Sequence, residues 1–115
     1  MNITAVTDTF SVSPQILLSD LEILARQGFS TIICNRPDDE AGAVPSAAMR
    51  DSAGRLGLAF HHIPITPGIM TETQVDEMVA ALGAATGNVL AFCRSGNRSM
   101  MLFQAAQSRV LAQSA

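Results

Sequence analysis

The residues best suited to chemistry in this 115-residue chain lie together in one short segment, Cys93-Arg94-Ser95-Gly96-Asn97-Arg98-Ser99, which follows an apolar run. A loop that leads into a helix directs several backbone N–H groups and the positive end of the helix dipole at one point, so it binds anions. The same field lowers the pKa of a cysteine at its base and favours the nucleophilic thiolate. The segment therefore predicts a cysteine nucleophile in an anion-binding loop.

The residues of this loop have distinct predicted roles. Cys93 and Arg98 are the candidate catalytic residues, since a guanidinium can hold an oxyanion through two parallel hydrogen bonds. The Ser99 hydroxyl is a predicted donor to the thiolate. The candidate anion-binding residues are Arg94, Ser95, Gly96, Asn97 and Ser99. The alternative is that Cys93 is a buried structural cysteine in a polar turn. Packing alone, however, does not explain why two arginines lie close to one cysteine in the sequence.

Composition excludes several classes of function. The net charge is −3 and the seven basic residues are scattered, which argues against a nucleic-acid partner. No apolar run has the length of a membrane span, and two cysteines are too few for a disulfide framework, so we expect a cytoplasmic protein. The neighbouring histidines His61 and His62 would point to opposite faces of a strand, so they predict no zinc site. We expect neither a metal nor a cofactor.

The elements that position the loop alternate between strand and helix along residues 1–115, which predicts a single α/β domain. We expect three layers, with a mostly parallel sheet of four or five strands between helices. Ser19 and Thr71 each begin a predicted capping box, and the helices that follow are expected to stop at Gly28 and Gly87. Two further helices are predicted at 46–56 and 99–111, and the strands at 6–12, 31–35, 60–65 and 88–92.

Three residues outside the loop are candidates for the rim of its pocket. Arg36 and Asp38 belong to the segment 36–40, which follows the second predicted strand and is expected to border the pocket, at the same sheet edge as the Cys93 loop if the strands are parallel. The alternative is a solvated turn in which Asp38 or Glu40 pairs with Arg36. His62, the third candidate, lies on a strand, where a structural role is the more common one. Cys34 follows an Ile-Ile pair and is expected in the core.

Several segments resemble known families. The Cys93 loop is similar to the active-site loop of rhodanese-type sulfurtransferases, in which four residues separate the cysteine from the arginine; protein-tyrosine and dual-specificity phosphatases have five. Over almost its whole length the chain resembles the phosphatase-like domain found fused to beta-lactamase-like hydrolases, a family assigned to sulfur transfer. The segments that carry this resemblance are 35–40, 45–47, 62–65 and the loop itself.

The resemblance implies a protein-tyrosine/dual-specificity-phosphatase-like fold with a sulfurtransferase-like loop. The reaction that it implies first is sulfur transfer. Cys93 would take sulfane sulfur from a small anionic donor such as thiosulfate as a persulfide and pass it to a thiol acceptor such as glutathione. Functional coupling to a persulfide-oxidising enzyme is implied as well. A non-catalytic module that binds anions or persulfides is one alternative.

The other alternative is a cysteine-dependent phosphatase with a phosphocysteine intermediate. That reaction needs a general acid for the leaving oxygen. The segment 66–71 contains no carboxylate, and Phe92 precedes the nucleophile where phosphatases often have histidine. The acid would then have to be Glu72, Asp76 or Asp38.

Overall fold

The computed structural model describes residues 1–114, in which helices flank a five-stranded sheet on both faces. The strands are β1 (Thr4–Ala5), β2 (Phe10–Ser13), β3 (Phe29–Cys34), β4 (Ala59–His62) and β5 (Asn88–Phe92). The helices are α1 (Asp20–Arg26), α2 (Ser46–Arg55), α3 (Glu72–Ala84) and α4 (Asn97–Ser114). The strand order is β1-β2-β5-β3-β4; β1 pairs antiparallel with β2, and the pairs β2-β5, β5-β3 and β3-β4 are parallel. The predicted three-layer, mostly parallel α/β fold is confirmed.

Side chains along the two central strands alternate between two core layers. In β3, Ile33 packs in the layer beneath α3 and α4, while Ile32 and Cys34 pack in the layer beneath α1 and α2. In β5, Ala91 packs in the layer beneath α3 and α4, and Phe92 packs in the layer beneath α1 and α2. Because both faces of the sheet are covered, residues 32–34 and 89–92 of these strands are buried and apolar. The arrangement leaves the loops after β3, β4 and β5 at one edge of the sheet.

The first predicted strand, 6–12, is wrong as a single element, because the chain turns within it. The hydroxyl oxygen of Thr7 accepts hydrogen bonds from the backbone N–H groups of Thr9 at 3.2 Å and Phe10 at 3.0 Å. This bonding holds a tight turn between β1 and β2, as short polar side chains often do.

The two predicted capping boxes have opposite outcomes. Thr71 and Gln74 exchange side-chain-to-backbone hydrogen bonds of 3.2 Å and 2.8 Å at the start of α3, so this box is confirmed. The Ser19 box is wrong, because Ser19 already has a helical backbone (φ −63°, ψ −21°) and makes no capping bond. The residue at an N-cap normally has an extended backbone. Helix α3 also ends at Ala84, before Gly87.

The last helix, α4, is longer at both ends than the predicted 99–111. Its Phe103 ring stacks on the Phe10 ring of β2 with centroids 3.8 Å apart, which fixes the helix against the sheet. In the part of the chain that the structure describes, no helix combines the length and apolarity needed to cross a membrane. Because α4 begins at Asn97, Arg98 belongs to its first turn.

Candidate active site

Cys93 directly follows β5, and its sulfur faces the loop that connects β5 to α4. The residue is fully buried, and its Sγ atom accepts a hydrogen bond from the Gly96 backbone N–H at 3.1 Å. Burial raises the pKa of the thiol, but the backbone N–H groups of Ser99, Ser95, Gly96 and Arg98 outweigh burial and lower the pKa below its ordinary value. Hydrogen bonds to the charged form favour the thiolate. Cys93 therefore has the environment of a nucleophile.

Gly96 gives the loop its shape. Its φ of +94° lies in the region that favours glycine. A Cβ atom at this position would be 3.3 Å from the backbone oxygen of Ser13, at the end of β2. On the same side, the Gln15 N–H donates to the Arg94 carbonyl at 3.4 Å. The loop therefore packs closely against the chain that leaves β2, and a larger residue at position 96 would displace it.

Arg98 is held by a carboxylate from a different loop. Its two terminal nitrogens donate to the Glu40 carboxylate at 2.6 Å and 2.9 Å, and one of them also donates to the Ile65 carbonyl at 2.7 Å. The hydrogen bond from Arg98 lowers the pKa of Glu40 despite partial burial, and the same bond raises the pKa of Arg98. The Cys93 thiolate contributes to the shift at Arg98. Arg98 is therefore a fixed cation beside the nucleophile.

An open cavity of about 590 Å³ lies over this loop. It is bordered by the segments that follow β3, β4 and β5, which meet at the carboxyl edge of the sheet, where ligands bind in parallel α/β folds. Three guanidinium groups and two carboxylates line it, so a small anion is the natural occupant. The residues that carry these charges are Arg36, Arg94, Arg98, Asp39 and Glu40.

The three predicted rim residues have different positions. Arg36 lines the cavity and is 5% exposed, with its Nε atom 3.1 Å from Glu40 Oε1. Asp38 does not line the cavity, because its two carboxylate oxygens accept hydrogen bonds from the Ser46 N–H and hydroxyl at 2.8 Å and 2.7 Å. His62 lies away from it as well, with Nε2 3.0 Å from the Arg36 carbonyl oxygen. The expectation that Asp38 and His62 border the pocket is corrected accordingly.

The family model described as "Beta-lactamase hydrolase-like protein, phosphatase-like domain" matches residues 2–110. The chain belongs to this family. A beta-lactamase hydrolase-like protein from Xylella fastidiosa is 32% identical over 104 residues, which are 90% of this chain and 24% of that protein. This phosphatase-like domain therefore spans about a quarter of the length of the curated relatives it matches.

Two solved structures place the domain among phosphatase folds. A proposed phosphatase from Neisseria meningitidis is 34% identical with a TM-score of 0.78, covering 90% of this chain and 74% of that one. The TpbA protein of P. aeruginosa in complex with pTyr is 20% identical with a TM-score of 0.65, covering 88% of this chain and 59% of that one. The second likeness concerns the fold alone. The predicted phosphatase-like fold is confirmed.

The other residues of the Cys93 loop differ in their position relative to the cavity of this phosphatase-like domain. Arg94 and Ser95 line the cavity, whereas Asn97 lies outside the lining and places its amide nitrogen 3.9 Å from the Met101 sulfur. The backbone N–H of Ser99 approaches Cys93, but the buried Ser99 hydroxyl has no hydrogen-bond partner within residues 1–114. The predicted donation from this hydroxyl to the thiolate is therefore absent from the structure.

Cys34 has the structural role that the sequence predicts. It is buried, and its Sγ is 3.5 Å from the Arg36 carbonyl oxygen. Burial raises the pKa of the Cys34 thiol to about 11. At neutral pH this cysteine stays protonated, so the two thiols of the phosphatase-like domain differ in reactivity.

Asp39 and Glu40 belong to the segment 36–40, which the sequence places at this edge of the sheet, and both line the cavity, although neither was singled out as a site residue. The sequence allowed an ion pair between Glu40 and Arg36, and the structure contains it at 3.1 Å. The contact between Glu40 and Arg98 was not predicted, because the two residues are 58 positions apart in the chain. The run of three acidic residues that begins at Asp38, placed at the carboxyl end of a parallel strand, was the available signal.

Proposed function

We propose that this domain is a cysteine-dependent phosphatase of the tyrosine or dual-specificity type, which hydrolyses phosphate monoesters through a phosphocysteine at Cys93. The observation that carries the proposal is the Cys93 loop, whose Gly96 N–H donates to Cys93 Sγ at 3.1 Å and whose Arg94 and Arg98 line a cationic cavity. Membership of a phosphatase-like family supports a phosphoryl group as the anion. The 34% identical protein from Neisseria meningitidis, itself a proposed phosphatase, supports it further.

The proposed chemistry assigns a role to each charged group. Cys93 attacks phosphorus, and the loop N–H groups hold the phosphoryl oxygens as charge redistributes. Arg98 supplies positive charge beside the reacting sulfur, and its contact with Glu40 fixes its orientation before substrate binds. Arg94 is exposed at the cavity and attracts the anionic substrate.

Sulfur transfer is the second candidate, because only four residues separate Cys93 from Arg98, as in rhodanese-type loops. In this case Cys93 attacks the outer sulfur of a donor such as thiosulfate, sulfite leaves, and the persulfide passes to a thiol such as glutathione. An enzyme that oxidises persulfides would then act beside this domain. For either reaction we propose a cytoplasmic location, which both unpaired cysteines support.

One experiment separates the two candidates. Purified protein is assayed for phosphate release from an aryl phosphate, and its intact mass is measured in parallel after incubation with thiosulfate. We expect phosphate release that Cys93→Ser abolishes and Cys34→Ala, the control, retains. A mass gain of one sulfur on Cys93 without any phosphate release would reject the phosphatase and establish sulfur transfer.

A further inference from the structure

Two carboxylates line the active-site cavity, and only one of them is held by cations. Glu40 accepts hydrogen bonds from Arg98 at 2.6 Å and 2.9 Å and from Arg36 at 3.1 Å. A carboxylate bound by two guanidinium groups stays ionised and has no proton to give. Its neighbour Asp39 is exposed and lines the same cavity. Within the described residues, the Asp39 carboxylate has no ion-pair partner.

The carboxylates that the sequence offered as a general acid are engaged elsewhere. Asp38 uses both oxygens to cap α2. Glu72 and Asp76 form ion pairs with Arg109 of α4 and do not line the cavity. A phosphatase that releases an alkoxide or phenoxide still needs a proton donor near the leaving oxygen. The cavity lining leaves Asp39 for that task.

We propose that Asp39 is the general acid and base of the reaction, supplied by the segment after β3 instead of the segment after β4. The inference rests on the proposed phosphatase function. Asp39 faces the cavity together with Arg94 and Ser95 of the loop that follows Cys93, so a monoester held in that loop would extend its leaving group into the space that Asp39 borders.

The reaction has two steps, and the proton that Asp39 donates in the first step is recovered in the second. In the first step the Cys93 thiolate forms the S–P bond, the P–O bond to the leaving group breaks, and protonated Asp39 gives its proton to the leaving oxygen. In the second step the Asp39 carboxylate takes a proton from water while the water oxygen attacks phosphorus. The S–P bond then breaks, which releases inorganic phosphate and restores the thiolate of Cys93 and the acid form of Asp39.

The test compares Asp39→Asn with wild type on two esters that differ in leaving group. Phenyl phosphate has a poor leaving group that needs protonation, whereas dinitrophenyl phosphate has a good one that does not. Because a general acid contributes at least about 10²-fold, we expect kcat/KM of the variant to fall about 10²-fold on phenyl phosphate and less than about tenfold on dinitrophenyl phosphate.

Asp38→Asn is the matched control, since it changes the adjacent carboxylate, which caps α2. It should lower activity on both esters by the same factor, if at all. An Asp39→Asn variant whose losses on the two esters are equal would overturn the assignment of Asp39 while leaving the phosphatase intact. A wild-type protein that hydrolyses neither ester would reject the proposed function, and with it this inference.

Discussion

The two cysteines of this chain share a sheet but differ in what surrounds their sulfur atoms. Cys93 is approached by four backbone N–H groups, which lower its pKa, whereas burial raises the pKa of Cys34 to about 11. We therefore expect two separate ionisations when thiolate absorbance is followed against pH. Cys34→Ala should leave only the ionisation below the ordinary thiol value of 9.0, and Cys93→Ala only the one near 11. A Cys93 that ionises above its ordinary value would remove its role as a nucleophile.

Substitution of Arg98 tests the contribution of a second single residue to the reaction. Its two terminal nitrogens act as a planar fork on Glu40, and lysine cannot reproduce that geometry. We expect Arg98→Lys to lower kcat/KM on an aryl phosphate about 10²-fold, the typical loss when one stabilising donor is removed. Arg109→Lys, which alters an arginine paired with Glu72 and Asp76 outside the cavity, serves as the control. Equal kinetics for the two variants would exclude Arg98 from the mechanism.

The ion pair between Glu40 and Arg98 should also make stability depend on pH. Because Arg98 lowers the pKa of Glu40, the pair stabilises the fold above the unfolded-state pKa of about 4.3, and this contribution is lost as pH falls through the lower folded-state pKa. We expect Glu40→Gln to reduce the free energy of unfolding by about 1–3 kcal/mol at neutral pH. In urea titrations the difference from wild type should shrink as pH falls below that unfolded-state value.

Glu22→Gln is the control for that measurement, because Glu22 pairs with Arg26 on an exposed face of α1, where ion pairs contribute less than about 1 kcal/mol. If Glu40→Gln were as stable as wild type at neutral pH, the pair would not support the fold.

The Cys93 loop could be predicted from the sequence because its residues are consecutive. The contact between Arg98 and Glu40 could not be predicted from the sequence, because only the folded sheet brings Glu40 next to Arg98.

At the scale of elements, the connection between β5 and α4 depends on one glycine. Alanine at position 96 would have to adopt a φ of +94° with its Cβ 3.3 Å from the Ser13 oxygen. Strain of this kind costs about 1–3 kcal/mol, and displacement of the loop would withdraw N–H groups from Cys93. We expect Gly96→Ala to lower both the melting temperature and activity. Gly54→Ala in α2, where a Cβ has open space, should leave activity unchanged. Full activity in Gly96→Ala would contradict the proposed shape of the loop.

The helix starts show how far local sequence rules extend. Thr71 and Ser19 both head a capping pattern, yet only Thr71 makes the bonds, because Ser19 lies in a turn that already has helical geometry. Helix α2 is capped from a distance, by Asp38 eight residues before Ser46. Such a cap cannot be read from neighbouring residues, since it depends on the path of the segment after β3.

At the scale of the whole molecule, the sheet order places three connecting segments at one edge. The central strands β5 and β3 carry the Cys93 loop and the segment with Arg36, Asp39 and Glu40 side by side. Apolar patterning was enough to predict the central strands β3 and β5, since both of their faces are buried. The charged lining of the cavity was only partly predicted, because it combines residues far apart in sequence.

The proposed reaction proceeds through a covalent bond between Cys93 and the phosphoryl group of a substrate. A single turnover of an aryl phosphate, quenched in acid and analysed by intact mass and peptide mapping, tests this most directly. We expect a transient gain of one phosphoryl group on Cys93 in wild type, with longer retention in Asp39→Asn and none in Cys93→Ser. Phosphate release without any adduct on Cys93 at any quench time would rule out the phosphocysteine mechanism.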